Sequence, residues 1–107
     1  MNVLIVGFGT AGRHYFKLLE KNKKIKEIYI IESRKLPSSK KYFQINFNYF
    51  KKNKISIDAA MICTPSNLHY YYAKACLDKN INVLIEKPFV LKLSHAKELV
   101  NLTIKKN

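Results

Sequence analysis

Gly7, Gly9 and Gly12 stand in the order G-x-G-x-x-G, with Phe8, Thr10 and Ala11 between them. Glycines so spaced suit a backbone that passes close to a diphosphate. The first permits a tight turn, the second leaves no side chain between backbone and ligand, and the third lets a following helix lie close against a sheet. The apolar run Val3-Leu4-Ile5-Val6 precedes the glycines and a helical spacing of apolar residues follows them. The loop therefore joins a buried strand to a helix N-terminus, where N–H groups and the helix dipole favour an anion. Glu32 lies 20 positions after Gly12, where a carboxylate ending the next strand meets the ribose hydroxyls of a dinucleotide. Its charge repels a 2′-phosphate and so favours NAD. Ser33 and Arg34 follow directly, and Arg34 could instead receive that phosphate, which keeps NADP open.

Two more clusters follow apolar runs. One is Cys63-Thr64-Pro65-Ser66-Asn67-Leu68-His69, the other Glu86-Lys87-Pro88. Taken singly they say little, because a lone histidine after a strand is more often structural than catalytic and a Glu-Lys pair beside a proline is more often a solvated turn.

The elements that would position these residues alternate. Asn2 to Val6 reads as a central strand, and Ala11, Tyr15, Leu18 and Leu19 mark a first helix closed by the lysines from Lys21 to Lys24. Glu27 to Glu32 is a second strand, rich in isoleucine. Between Ser33 and Ser56, Pro37, Ser38 and Ser39 interrupt any helix, and Phe43 to Phe47 alternates weakly as a third strand. Ile57 to Thr64 is a fourth strand, ended by Pro65. Leu68, Tyr72, Ala75 and Cys76 give a second helix, with Asn80 suited to the left-handed position beyond its end. Asn82 to Ile85 is a fifth strand, and Ser94 is placed to N-cap a last helix with Ala96, Leu99, Val100, Thr103 and Ile104 on one face. Such alternation predicts an α/β fold: a doubly wound parallel sheet of about five strands in order 3-2-1-4-5, helices on both faces, ligands at the switch point between strands one and four.

The net charge of +13 and pI near 9.8 raise nucleic acid as a partner. The distribution argues against it. Of the 20 basic residues only Arg13 and Arg34 are arginine, and the lysines cluster at element ends, as on solvated faces. No stretch approaches the roughly 20 apolar residues that span a bilayer. Cys63 and Cys76 lack metal-ligand spacing, so no metal is expected, and they read as thiols of a reducing compartment. With no basic leader before Val3, a cytoplasmic location is expected.

The glycine loop with its trailing His14, then Thr64-Pro65 with His69, then Glu86-Lys87-Pro88, resemble in kind and order the N-terminal domain of the glucose-fructose oxidoreductase, inositol dehydrogenase and MocA family. The resemblance covers nearly the whole chain. It implies a Rossmann-type domain that binds NAD or NADP in an oxidoreductase acting on a sugar, cyclitol or related polyol. It places Lys87 near the nicotinamide and the reacting carbon, as the catalytic residue, with Cys63, Thr64, Pro65, His69, Glu86 and Pro88 along the cofactor wall. The Lys87-Pro88 peptide is a candidate for the cis form. Members of the family continue into a second α/β domain that holds the substrate. Residues 1–107 are thus expected to form one dinucleotide-binding domain, catalytically incomplete alone, that works with a second domain in trans or as a homo-oligomer. The alternative is a non-catalytic NAD-binding module or truncated relic.

Overall fold

The computed structural model describes residues 1–85 and 92–106, the last three of these by backbone only. Strand β1 (Asn2–Val6) leads into helix α1 (Thr10–Glu20), then β2 (Glu27–Ile31), β3 (Phe43–Ile45), α2 (Phe47–Lys52) and β4 (Ala59–Ile62). A 3-10 turn (Ser66–Leu68) opens α3 (His69–Asp78), followed by β5 (Asn82–Ile85) and α4 (Leu93–Lys106). All strand pairs are parallel, in the order β3-β2-β1-β4-β5.

β1 is central, and its residues from Val3 to Val6 are buried, as expected of a strand covered on both faces. Alternation splits the core in two. Leu4, Val6, Ile31, Ala60 and Ile62 face α2 and α3, where Phe50 and Cys76 meet them. Ile5, Ile28 and Ile30 face the other way, toward Phe16 and Leu19 of α1 and toward Leu36 and Tyr42 of the loop after β2. Burial pushes the Cys76 thiol up to about 12, so it stays protonated and inert. Cys63 and Cys76 form no disulfide. No helix among the described residues is long and apolar enough to cross a membrane.

Several details depart from the expectations. Phe43 to Phe47 is not one strand: β3 stops at Ile45 and Phe47 begins α2, because the Asn46 side chain accepts a hydrogen bond from the Tyr49 N–H at 2.7 Å and caps a helix there. On α1, Leu18 is exposed and Phe16 takes the inward place. The deepest stripe of α3 is His69, Ala73 and Cys76, with Tyr72 and Ala75 beside it. Ser94 is not the cap of α4, since the helix already begins at Leu93 and the Ala96 N–H bonds the Lys92 carbonyl. Of the face assigned to α4, Leu99 is buried against α3, whereas Val100 and Thr103 are exposed. Asn80 does adopt the left-handed conformation, at φ 61°. The Ile81 N–H bonds the Cys76 carbonyl and the Asn80 N–H the Leu77 carbonyl, which closes α3 in a Schellman motif.

Candidate cofactor site

The chain reverses its winding between β1 and β4, and the loops after these strands touch. Gly7 continues the ladder by donating to the Ile31 carbonyl at 2.8 Å, and Cys63 by donating to the Val6 carbonyl at 2.7 Å. Gly7 sits at φ +92°, and a Cβ there would lie 2.9 Å from the Cys63 carbonyl group. A Cβ on Gly12 would lie 2.1 Å from the Gly7 carbonyl oxygen, so only glycine lets α1 start this close to the sheet. Gly9 differs from both. Its Cβ would meet nothing within 4 Å, so the space beside the backbone there is open. Thr10 begins α1, with Ala11 next, and no side chain caps the helix or places an acid in its first turn. Its N-terminal N–H groups thus border that open space without an internal anion.

Glu32 lies across the loop, its side chain only 10% exposed. Oε1 accepts the Phe8 N–H at 2.8 Å; Oε2 accepts the Arg34 N–H at 3.1 Å, Arg34 Nε at 3.2 Å and the Ser33 hydroxyl at 3.3 Å. Burial alone would raise this carboxyl, but the Phe8 N–H and the charge and donors of Arg34 outweigh it and hold the group at about 2. Because the folded-state pKa is depressed, its contribution to stability is present above the unfolded value and is lost as pH falls through the folded one. In urea titrations, the advantage of wild type over Glu32→Gln should be constant above pH 4.5 and should fade between 4.5 and about 2. An advantage unchanged at pH 2 would contradict this charge assignment.

Arg34 also reaches back to the Phe8 carbonyl through Nη2 at 3.3 Å, and the Arg13 guanidinium stands 5.9 Å from the centre of the Phe8 ring. The only two arginines of the chain therefore converge on Phe8, which rests in turn on Phe16 and Tyr42.

On the other side of the switch point, His69 is buried and its Nε2 lies 2.9 Å from the Thr64 carbonyl, to which an Nε2–H would donate. The ring braces the turn after β4 from beneath. Above it the Thr64 hydroxyl oxygen is buried with no hydrogen-bond partner among the described residues, an expensive state for a polar atom unless a ligand satisfies it. Pro65 is exposed beside it, and Cys63 is half buried against the Phe8 side of the core. The structure thus brings Gly7, Phe8, Gly9, Thr10, Ala11, Gly12, Glu32, Ser33 and Arg34 together along one edge of the crevice, with Cys63, Thr64 and Pro65 on the other. His14 is exposed on α1. Glu86, Lys87 and Pro88, with the peptide between the last two, lie outside the described residues. Among the described residues no group of three or more His, Cys, Asp or Glu could hold a metal.

Sequence reasoning missed Gln44, whose side chain reaches from β3 into the loop that carries Ser33 and Arg34. A polar residue amid the apolar residues of a short strand was the signal available.

The residues present fit a dinucleotide: an uncapped helix N-terminus, open space at Gly9, a largely buried carboxylate at the end of β2 and an orphaned hydroxyl across the crevice. A parallel 3-2-1-4-5 sheet with this loop is a nucleotide-binding Rossmann domain. The chain belongs to the GFO_IDH_MocA oxidoreductase family with an NAD-binding Rossmann fold, whose model matches residues 1–107. Among curated relatives, the uncharacterized oxidoreductase YhhX of Escherichia coli (strain K12) is 29% identical over 95% of this chain and 32% of its own length. The crystal structure of YhhX superposes with a TM-score of 0.83 at 26% identity, over 99% of this chain and 33% of that one. D-galactose-1-dehydrogenase from Rhizobium etli gives a TM-score of 0.82 at 27% identity, over 98% of this chain and 34% of that one. The chain therefore spans about a third of the length of these relatives.

Proposed function

We propose that residues 1–107 are the cofactor-holding half of an enzyme that moves a hydride between NAD or NADP and the carbinol carbon of a sugar, cyclitol or related polyol. The observation that carries the reading is the pairing of the open space at Gly9 with the multiply bonded carboxylate of Glu32, which reaches the same glycine loop from the end of β2. The likeness to a galactose dehydrogenase supports the substrate class. When bound, the nicotinamide cofactor supplies the hydride acceptor or donor, and the chain supplies placement and electrostatics. The N–H groups opening α1 hold the pyrophosphate. The Thr64 hydroxyl, kept in place by the His69–Thr64 bond, gains a partner. Lys87 manages the proton of the substrate hydroxyl, a role taken from the family resemblance. We place the protein in the cytoplasm, with a second domain or a second copy completing the substrate pocket and no nucleic acid or membrane as partner.

Glu32 already receives four protein donors, about the full capacity of a carboxylate. A ribose hydroxyl must displace one of them, and the Arg34 side chain, 62% exposed, is free to leave. Released, its guanidinium is available to a 2′-phosphate. The test is calorimetric titration with NAD and NADP. Wild type should bind both, NAD more tightly, and Arg34→Ala should lose affinity for NADP by about tenfold or more while keeping NAD. Binding of neither would remove the reading; a purely binding module would bind NAD yet stay inactive when joined to a complete substrate domain.

A further inference from the structure

We infer that Gln44 is the positioning residue for adenosine-ribose recognition, acting through the backbone of the loop that carries Glu32, Ser33 and Arg34. The inference rests on the assignment of Glu32 and Arg34 to the ribose made above. Gln44 lies in β3 between Phe43 and Ile45, with its side chain on the α1 face of the sheet, opposite to Ile45. Its Oε1 accepts the Leu36 N–H at 2.8 Å, and its Nε2 donates to the Arg34 carbonyl at 2.7 Å and the Glu32 carbonyl at 3.1 Å. One side-chain amide thus ties three backbone groups of a five-residue stretch.

That stretch has no secondary structure of its own to hold it. Among the described residues, 33–42 closes no hydrogen-bonded backbone turn. Its other ties are the bonds of Ser33 and Arg34 to the Glu32 carboxylate and of Arg34 to the Phe8 carbonyl, made by the very side chains to be positioned, and the packing of Leu36 on the core; the Tyr42–Pro37, Lys41–Ser39 and Lys41–Glu20 contacts lie farther along the loop. Ser33, Arg34 and Lys35 are exposed, so no packing fixes them. An exposed, turnless loop samples many conformations unless specific bonds select one. The Gln44 amide selects the one in which Arg34 sits over the Glu32 carboxylate and the Glu32 side chain reaches the Phe8 N–H. In that geometry Glu32 stands at the ribose position, and Arg34, once a ribose hydroxyl displaces it, is at hand for a 2′-phosphate. With its amide committed to these three backbone groups, Gln44 acts through Glu32 and Arg34.

The requirement is for an amide and not for size. In Gln44→Glu the side chain can still accept from the Leu36 N–H but turns a carboxylate toward two carbonyl oxygens. In Gln44→Met all three bonds go and the volume stays. Affinities of wild type, both variants and a Glu32→Ala control should be measured for NAD, for NADP and for nicotinamide mononucleotide, which lacks the adenosine half. We expect both Gln44 variants to lose about tenfold in NAD affinity, with the NAD-to-NADP ratio falling toward one and binding of the mononucleotide unchanged. A merely structural role would weaken all three ligands together and leave the ratio intact, and that result overturns the inference. So does an unchanged NAD affinity in a folded Gln44→Met protein. Should Gln44→Met fail to fold by circular dichroism, Gln44→Glu decides by the same criteria. The control separates the two claims: if Glu32→Ala collapses the ratio and the Gln44 variants do not, only the role of Gln44 falls. A ratio that survives Glu32→Ala removes the ribose assignment and the inference with it.

Discussion

Gly9→Val is expected to abolish NAD binding, with at least about a hundredfold loss of affinity, while leaving stability within about 0.5 kcal/mol of wild type. Gly12→Ala is expected to do the reverse first, lowering the free energy of unfolding by upwards of about 2 kcal/mol. The difference follows from where each added carbon would go. At Gly9 the backbone is extended, with φ −82° and ψ −150°, and a Cβ meets no protein atom within 4 Å, so valine costs the folded chain almost nothing. The isopropyl group then fills the space through which a pyrophosphate must approach the backbone. At Gly12 the added methyl would stand 2.1 Å from the Gly7 carbonyl oxygen, and the start of α1 would have to lift from the sheet. That movement also shifts the N–H groups that face the anion, so affinity falls as a consequence of the strain. Urea midpoints and calorimetric titration of the two variants together separate a ligand contact from a packing contact. A Gly9→Val protein that binds NAD like wild type would contradict the placement of the pyrophosphate.

How far the sequence is legible depends on whether local pattern or tertiary contact decides. The strands β1, β2, β4 and β5 and their parallel order were readable, because continuous apolar runs punctuated by glycine, proline and charge leave few topologies open. So was the left-handed Asn80, whose short polar side chain tolerates that conformation. The segment 33–56 was not. Its β3 is three residues long and pairs with β2 by register, Tyr29 with Phe43 and Ile31 with Ile45, a non-local condition that no window of sequence displays. Helix α2 is six residues long, too short for a clear period, and only Asn46 as its cap announces it. The same limit applies at the site. The spacing of the glycines and Glu32 located the crevice, yet nothing in that spacing showed Arg34 folded over Glu32 or Gln44 holding both from an edge strand. Burial of Phe16 in place of Leu18 on α1 is a similar case, since the loop residue Tyr42 that receives Phe16 comes 26 positions later.

The polypeptide of residues 1–107 by itself is expected to bind NAD without measurable hydride transfer, its turnover lying more than about a hundredfold below the roughly 1–10³ s⁻¹ usual for enzymes. Transfer requires the substrate carbon held about 3–3.5 Å from the reacting atom of the cofactor, in a pocket from which water is excluded. The described residues supply one side of such a pocket. The glycine loop, Glu32 and the turn at Thr64 and Pro65 lie along one edge of an open sheet, and among the described residues no second layer stands opposite them. The same openness shows in the apolar residues left in water: Leu84 of β5 is 51% exposed and Leu93, opening α4, is 73% exposed. Surface of that kind tends to find a partner, so self-association at high concentration accompanies the prediction. Sedimentation, NAD titration and an assay of NAD reduction against a panel of aldoses and inositols test the two consequences on one preparation. Adding the two thirds of YhhX that this chain does not cover, fused after Asn107, should give turnover, and Lys87→Met in that fusion should remove it again. Brisk turnover by a monodisperse monomer of residues 1–107 would show that one wall suffices and would end the half-pocket argument.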